Sequence, residues 1–169
     1  MIDKRFPVGR FTWPETVSAK AREEMLARLA SAPSRLRQAV SGLTDAQLDT
    51  SYREGGWTVR QVAHHLPDSH INSYVRFKLA LTEDEPTIKP YDEAAWANLR
   101  DTAQTPVETS VCLLESLHAR WVTLLSGLTE GQWKRTMRHP VNGPLRLDQV
   151  LALYAWHGDH HIAQIQSTR

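Results

Sequence analysis

The sequence predicts an all-α fold: a four-helix bundle with one long crossover connection and short extra helices. Three observations predict it. Four long segments repeat apolar residues at helical spacing. Strand signals are few. One connection, residues 82–105, is long enough to let neighbouring helices run parallel rather than up and down.

The elements follow in chain order. Residues 1–17 hold Phe6, Pro7, Gly9, Phe11, Trp13 and Pro14. Prolines, glycine and aromatics predict an extended arm that packs on the body or on a partner subunit. Ser18 is a candidate N-cap, followed by Ala21, Met25 and Leu29 at intervals of four. Ser31-Ala32-Pro33 is expected to interrupt this helix, with Pro33 in the first turn of a second stretch through Leu36 and Val40. Thr44 and Gln47 form a capping-box pattern for a short helix to about Asp49.

Gly55-Gly56 predicts a turn. Thr58 then caps a long helix to about Leu81, with Val59, Val62, Leu66, Phe77 and Leu81 on its apolar stripe. Pro67 lies inside it and cannot donate to the carbonyl of Ala63, so a local kink is expected. Residues 82–105 read as a loop with one short helix around 92–100. A third long helix covers 106–126, with Pro106 in its first turn and Val111, Leu114, Leu117 and Leu125 facing the core. Trp121 is expected to be buried beside surface charges at His118 and Arg120. Thr129-Glu130-Gly131-Gln132 starts another helix. Residues 139–144 form a turn or a short hairpin, with His139 exposed. Leu147-Asp148 opens the last helix.

Composition bounds the function. A chain of 169 residues with 41% hydrophobic content suits one domain over 1–169 with a proper core. A net charge of +1 gives no electrostatic footprint for nucleic acid or an anionic membrane. The single cysteine, Cys112, excludes an internal disulfide, and its apolar neighbours predict a core position. No signal-peptide pattern or membrane span is visible, so a soluble cytoplasmic protein is expected.

The chemistry concentrates in the last helix, which carries His157, His160 and His161. Residues four apart share a helix face, so His157 and His161 point the same way, toward the side of Leu153, Tyr154 and Gln164. Neutral imidazole is a good ligand for divalent metals. A pair alone also describes two buried histidines bonded to carbonyls, and a stable site needs a further ligand. His160 sits to one side of the pair and reads as a rim residue. The second long helix offers His64, His65 and His70. His65 lies on a polar stripe with Thr58, Gln61, Asp68, Ser69, Asn72 and Arg76, which is either solvated or lines a cavity. Periodicity does not choose between His64 and His65.

Longer motifs add to this reading. Gly55 through Leu66, Asp68 to His70, Tyr74 through Thr82, Pro90 through Trp96, His118 to Trp121 and Tyr154 through Gln164 closely resemble the YfiT-like branch of the DinB superfamily. The similarity extends to the Phe6–Gly9 arm. The resemblance implies a DinB-like bundle that holds one divalent metal, zinc or nickel, on three histidines. Its pattern of a Trp eight residues before a His-Leu pair lands on His65, and its His-x-x-x-His pair lands on His157 and His161. Pro67 departs from it, where relatives often carry a small residue. A homodimer is also implied.

Three histidines leave a coordination position open, as catalytic zinc sites do. The expected function is a hydrolase using metal-activated water on a small molecule. Residue 158 is glycine rather than the glutamate that zincins place after the first histidine, so the pair brings no general base of its own. Candidate proton-transfer residues are Asp68, Gln61 and His160, with Asn72, Asp159 and Gln164 beside them. Two alternatives stand beside hydrolysis, the first implied by the resemblance. One is transfer of a low-molecular-weight thiol of the bacillithiol type, with Arg53, Arg76 and Arg120 as candidate carboxylate binders. The other is a non-catalytic metal-binding stress protein.

Overall fold

The computed structural model describes residues 3–169. Eight helices and one hairpin follow in order: α1 (Ala19–Val40), α2 (Asp45–Leu48), α3 (Val59–Thr82), α4 (Glu93–Ala97), α5 (Arg100–Gln104), α6 (Val107–Ser126), α7 (Glu130–Trp133), β1 (Thr136–His139), β2 (Gly143–Arg146) and α8 (Leu147–Gln166). The long helices α1, α3, α6 and α8 form the bundle. α1 packs on α8 and α6, and α3 closes the ring against the same two helices. Among the described residues, no helix is long and apolar enough to cross a membrane.

The helix starts follow local chemistry. Ser18 accepts from the Ala21 N–H at 3.1 Å. Thr44, Thr58 and Thr129 each form a reciprocal capping box with a glutamine three residues on. Each box satisfies two backbone donors that the first helical turn leaves unpaired.

Pro33 does not interrupt α1, which runs unbroken from Ala19 to Val40. A proline removes one helical hydrogen bond, the one that would end on the carbonyl four residues earlier. Here that carbonyl belongs to Leu29, and it accepts instead from His118 Nδ1 at 2.7 Å. The lost bond is replaced from another helix, so the proline is tolerated.

The crossover between α3 and α6 holds two short helices, α4 and α5, where one was expected, because Leu99 adopts an extended backbone between them. Both pack on α3. The start of the crossover is tied to the hairpin, with the Ile88 N–H donating to the Arg138 carbonyl at 3.0 Å. Pro106 is the N-cap of α6 rather than part of its first turn. The expected hairpin is present, with Met137 opposite Leu145 in an antiparallel register.

Two apolar layers make the core. One joins Leu29, Phe77, Trp121, Leu125, Leu147 and Leu151. The other joins Leu36, Val62, Leu66, Val111, Leu114 and Ile165. Both α3 and α6 pass from the second layer to the first, so these neighbours run parallel, as the long crossover allows. Fully burying one such side chain contributes roughly 1.5–3 kcal/mol. Between the layers, along each of α3, α6 and α8, lie histidines: His70, His118, and His157 with His161. Buried polar groups cost free energy unless they are hydrogen-bonded, so this middle layer has to pair with itself or with backbone.

The arm lies on its own chain. Trp156 Nε1 donates to the Gly9 carbonyl at 3.1 Å, and Gln149 Nε2 to the Pro14 carbonyl at 2.9 Å. Cys112 is exposed rather than in the core. It falls outside the buried stripe of α6, and its thiol donates to Glu108 Oε1 at 3.2 Å.

Candidate metal centre

His65 of α3 and His157 and His161 of α8 converge. One ring nitrogen of each lies within 4.8 Å of the others. The α8 pair comes from the four-residue spacing, which brings the two rings together edge to face with centroids 4.4 Å apart. α3 supplies His65 from the facing helix, with its Nε2 at 3.2 Å from His157 Nε2. Two nitrogens bound to one tetrahedral ion at ordinary Zn–N distances stand about 3.3 Å apart. The donor set and spacing therefore fit a divalent ion. Trp57, whose ring centroid is 4.8 Å from that of His65, forms a wall beside the cluster.

The rings are held neutral. Burial pushes His65 down to about 4. Burial, and then the neighbouring imidazoles, push His157 and His161 well below the usual histidine range. Neutral imidazole is the form that binds metal.

The second nitrogens of the α8 pair are occupied. His161 Nδ1 is 2.8 Å from Gln164 Oε1, and Gln164 Nε2 is 3.0 Å from His160 Nε2. The amide oxygen can only accept, so His161 carries its proton on Nδ1 and leaves Nε2 bare. His157 Nδ1 is 3.2 Å from His70 Nε2, and His70 Nδ1 is 2.8 Å from His118 Nε2. His70 is 0% exposed and His118 2%. The sequence offered His70 only as one of three histidines on its helix and His118 only as a surface charge beside Trp121; their pairing with each other was not foreseen.

The remaining candidates separate. His64 faces the other way, with Nδ1 at 2.6 Å from Ser110 Oγ and Nε2 at 3.1 Å from the Thr105 carbonyl. Gln61 is spent on the capping box and on the Ala97 carbonyl at 3.2 Å. Asp159 pairs with Arg28 and Arg35 of α1 at 2.6 and 2.5 Å. The Asn72 side chain donates to the Asp68 carbonyl at 2.8 Å. The Asp68 carboxyl is pushed up to about 6 by burial, with Asp101 of α5 adding to it. It lines neither of the two cavities described next. His160 is buried rather than on the rim, because Trp156 stacks on it at 4.5 Å and Phe6 of the arm approaches from outside. His118 is buried with Trp121 instead of sitting among surface charges.

Two cavities reach the cluster. One, of about 200 Å³, has a mainly apolar wall that includes Trp13 and Leu153, and it touches His157. His139, expected to be exposed, is half-buried and lines it, because the hairpin folds over this end of α8. The other, of about 360 Å³, touches His160 and His161 and carries Arg53. Glu93 lines both. Glu93 is an exposed residue, but the partial burial of its carboxyl end raises its pKa, Arg76 opposes the rise and Asp92 adds to it. Asp92 caps α4 by accepting from the Ala95 N–H at 2.8 Å, which fixes Glu93 in the first turn. The sequence signal for Glu93 was its place in the Pro90–Trp96 motif, on the segment that folds back over α3.

Comparisons with known proteins bear on the family and the fold. The family profile described as the DinB superfamily matches residues 21–165. A Bacillus mycoides protein provisionally named a metal-dependent hydrolase is 48% identical over all 169 residues, which cover 97% of its length. A Bacillus cereus protein with the same provisional name is 49% identical over the same span. Among solved structures, YfiT from Bacillus subtilis superposes with a TM-score of 0.95 at 48% identity, covering 98% of this chain and 95% of that one. It is described provisionally as a metal-dependent hydrolase with an unusual four-helix bundle topology. A second four-helix bundle protein, at 22% identity and a TM-score of 0.59, shares the fold. With a family match over most of its length and near-complete superposition on YfiT, this chain belongs to the YfiT-like branch of the DinB superfamily.

Proposed function

We propose that this protein is a metal-dependent hydrolase of small molecules, with one zinc or nickel ion per chain held by His65, His157 and His161. The observation that carries the reading is the convergence of three imidazole ligand atoms within 4.8 Å of one another, beside two cavities that touch the cluster. Both metals accept imidazole ligands. When bound, such an ion supplies Lewis acidity and lowers the pKa of a coordinated water to about 7.

The protein's own groups do the rest. Glu93 lines both cavities with a raised pKa, so it suits a general base that takes the proton of the attacking water and returns it to the leaving group. It fills the role that Gly158 leaves vacant. Asp68 is set aside for this role, since it lines neither cavity. The apolar cavity beside His157 accommodates the substrate's apolar part, and at about 200 Å³ it admits only a small group. Arg76 at its edge, with one Nη donating to the Lys89 carbonyl at 2.9 Å, orients an anionic substituent. The net charge of +1 supports a small-molecule substrate over nucleic acid.

The test is turnover of a panel of p-nitrophenyl esters and anilides by metal-loaded and chelated protein. The reading expects hydrolysis that chelation abolishes and zinc or nickel restores. Full metal occupancy without hydrolysis of any panel member contradicts it.

One observation favours a second reading. Hydrolysis needs one organic substrate, whereas two cavities touch the cluster, one carrying Arg53 and the other Arg76. That suits transfer of a low-molecular-weight thiol to an electrophile, with Arg53 binding the thiol's carboxylates. Thiol consumption in the presence of an electrophile, lost on chelation, would favour transfer over hydrolysis. Arg120 falls outside this scheme, because it lies over the Tyr74 ring at 5.8 Å.

A further inference from the structure

We infer that a chain of hydrogen bonds starting at Pro33 fixes the tautomer of His157, so that its bare Nε2 faces the cluster. The inference rests on the proposed three-histidine site for its purpose, but not for its logic. His70 and His118 are then positioning residues, acting through His157.

The hydrogen-bond chain runs in one direction because its first acceptor is a backbone carbonyl. Pro33 has no N–H, so the Leu29 carbonyl of α1 has no helical donor. His118 Nδ1 lies 2.7 Å from that oxygen. A carbonyl oxygen only accepts, so His118 must carry its proton on Nδ1. A neutral ring has one proton, which leaves His118 Nε2 as an acceptor. At 2.8 Å from it, His70 Nδ1 must donate. His70 Nε2 is then bare and accepts, at 3.2 Å, from His157 Nδ1. His157 Nε2 is left without a proton, 3.2 Å from His65 Nε2. Each step follows from the one before, and reversing any of them places two protons or none between a pair of nitrogens.

Packing holds the chain in place. The His70 and His118 rings are stacked with centroids 4.9 Å apart. Trp121 stands edge-on to both, at 5.8 Å. Gly158 on α8 lies against this stack: a Cβ there would meet His70 Cε1 at 3.9 Å, an ordinary contact, and the Ala32 Cβ at 3.4 Å. Four helices therefore contribute: α1 the carbonyl, α6 and α3 the two relays, and α8 the ligand. Ligating histidines generally donate their other N–H to an acceptor, and losing that acceptor typically weakens metal binding 10–100-fold. Here the acceptor is itself an imidazole, which could take either tautomer, so its state has to be set from farther away.

The test is long-range ¹H–¹⁵N correlation NMR of the histidine rings at pH 7.5, on metal-free wild type and on His118→Phe. Zinc affinity is measured by competition with a chromophoric chelator. The inference expects Nδ1–H tautomers for His118, His70 and His157 in wild type. In His118→Phe it expects loss of the single Nδ1–H state at His157 and a 10–100-fold weaker zinc Kd. His118→Gln, which keeps a donor and an acceptor, should restore affinity in part. An Nε2–H tautomer at His157 in the wild type overturns the inference. So does an unchanged tautomer with unchanged affinity in His118→Phe. If that variant fails to fold, the wild-type spectrum alone decides. Wild type that shows the expected tautomers but binds no zinc or nickel overturns the proposed metal site instead.

Discussion

His64 and His65 are adjacent in the sequence and serve different sides of α3. His65 Nε2 stands 3.2 Å from His157 Nε2 in the cluster. His64 is bonded to Ser110 and Thr105, at the junction of α5 and α6. A helical step of about 100° per residue makes this division unavoidable. The variants should separate accordingly. His65→Ala should lose bound metal while the protein stays folded. His64→Ala should keep its metal but lose about 1–3 kcal/mol of stability, because it leaves buried partners unpaired. Metal analysis beside urea denaturation checks both.

Stability of the metal-free protein should depend on pH in a defined window. Burial lowers His65 and His118 to about 4 from an ordinary 6.5. Above pH 6.5 the rings are neutral in both folded and unfolded chains. Below it the unfolded chain takes up protons that the folded protein refuses. Stability present above about pH 6.5 is therefore lost as pH falls toward 4. The difference corresponds to on the order of 3 kcal/mol per ring. Urea midpoints at pH 8, 6 and 5 should fall in that order, and a flat profile would contradict the neutral histidine layer.

Glu93→Gln should lower kcat by about 10²–10⁴, the usual contribution of a general base. Metal content should not change, because Glu93 is outside the three-histidine cluster. The acidic limb of the pH–rate profile should vanish with it. A variant that keeps its activity would remove Glu93 from the mechanism.

Gly158 sets how closely α8 approaches α1. An added Cβ would lie 3.4 Å from the Ala32 Cβ, at the lower edge of ordinary contact, so alanine fits with little movement. Valine or leucine should overpack the contact and cost about 1–3 kcal/mol. Thermal denaturation of Gly158→Ala and Gly158→Val should show this order.

Much of the fold was legible because its signals are local. Thr44, Thr58 and Thr129 each cap a helix through a glutamine three residues away, and the hairpin lies within residues 136–146. The His157–His161 pair was legible from spacing alone. Other features depend on partners far along the chain. Local rules make Pro33 a helix breaker, but the carbonyl it frees finds His118, 89 residues on. His70 and His118 meet across α3 and α6, which no periodicity within either helix reveals. Cys112 looked apolar by its neighbours, yet its angular position on α6 puts it outside the buried stripe. Glu93 reaches the cavities only because the crossover folds back on α3.

The most direct test of the central claim is the metal content of protein purified without an affinity tag, compared with single alanine variants. The account predicts about one zinc or nickel per chain. That metal should be lost in His65→Ala, His157→Ala and His161→Ala, and kept in His64→Ala and His160→Ala. Metal-free wild type, or metal retained when His65, His157 or His161 is removed, would contradict the three-histidine site.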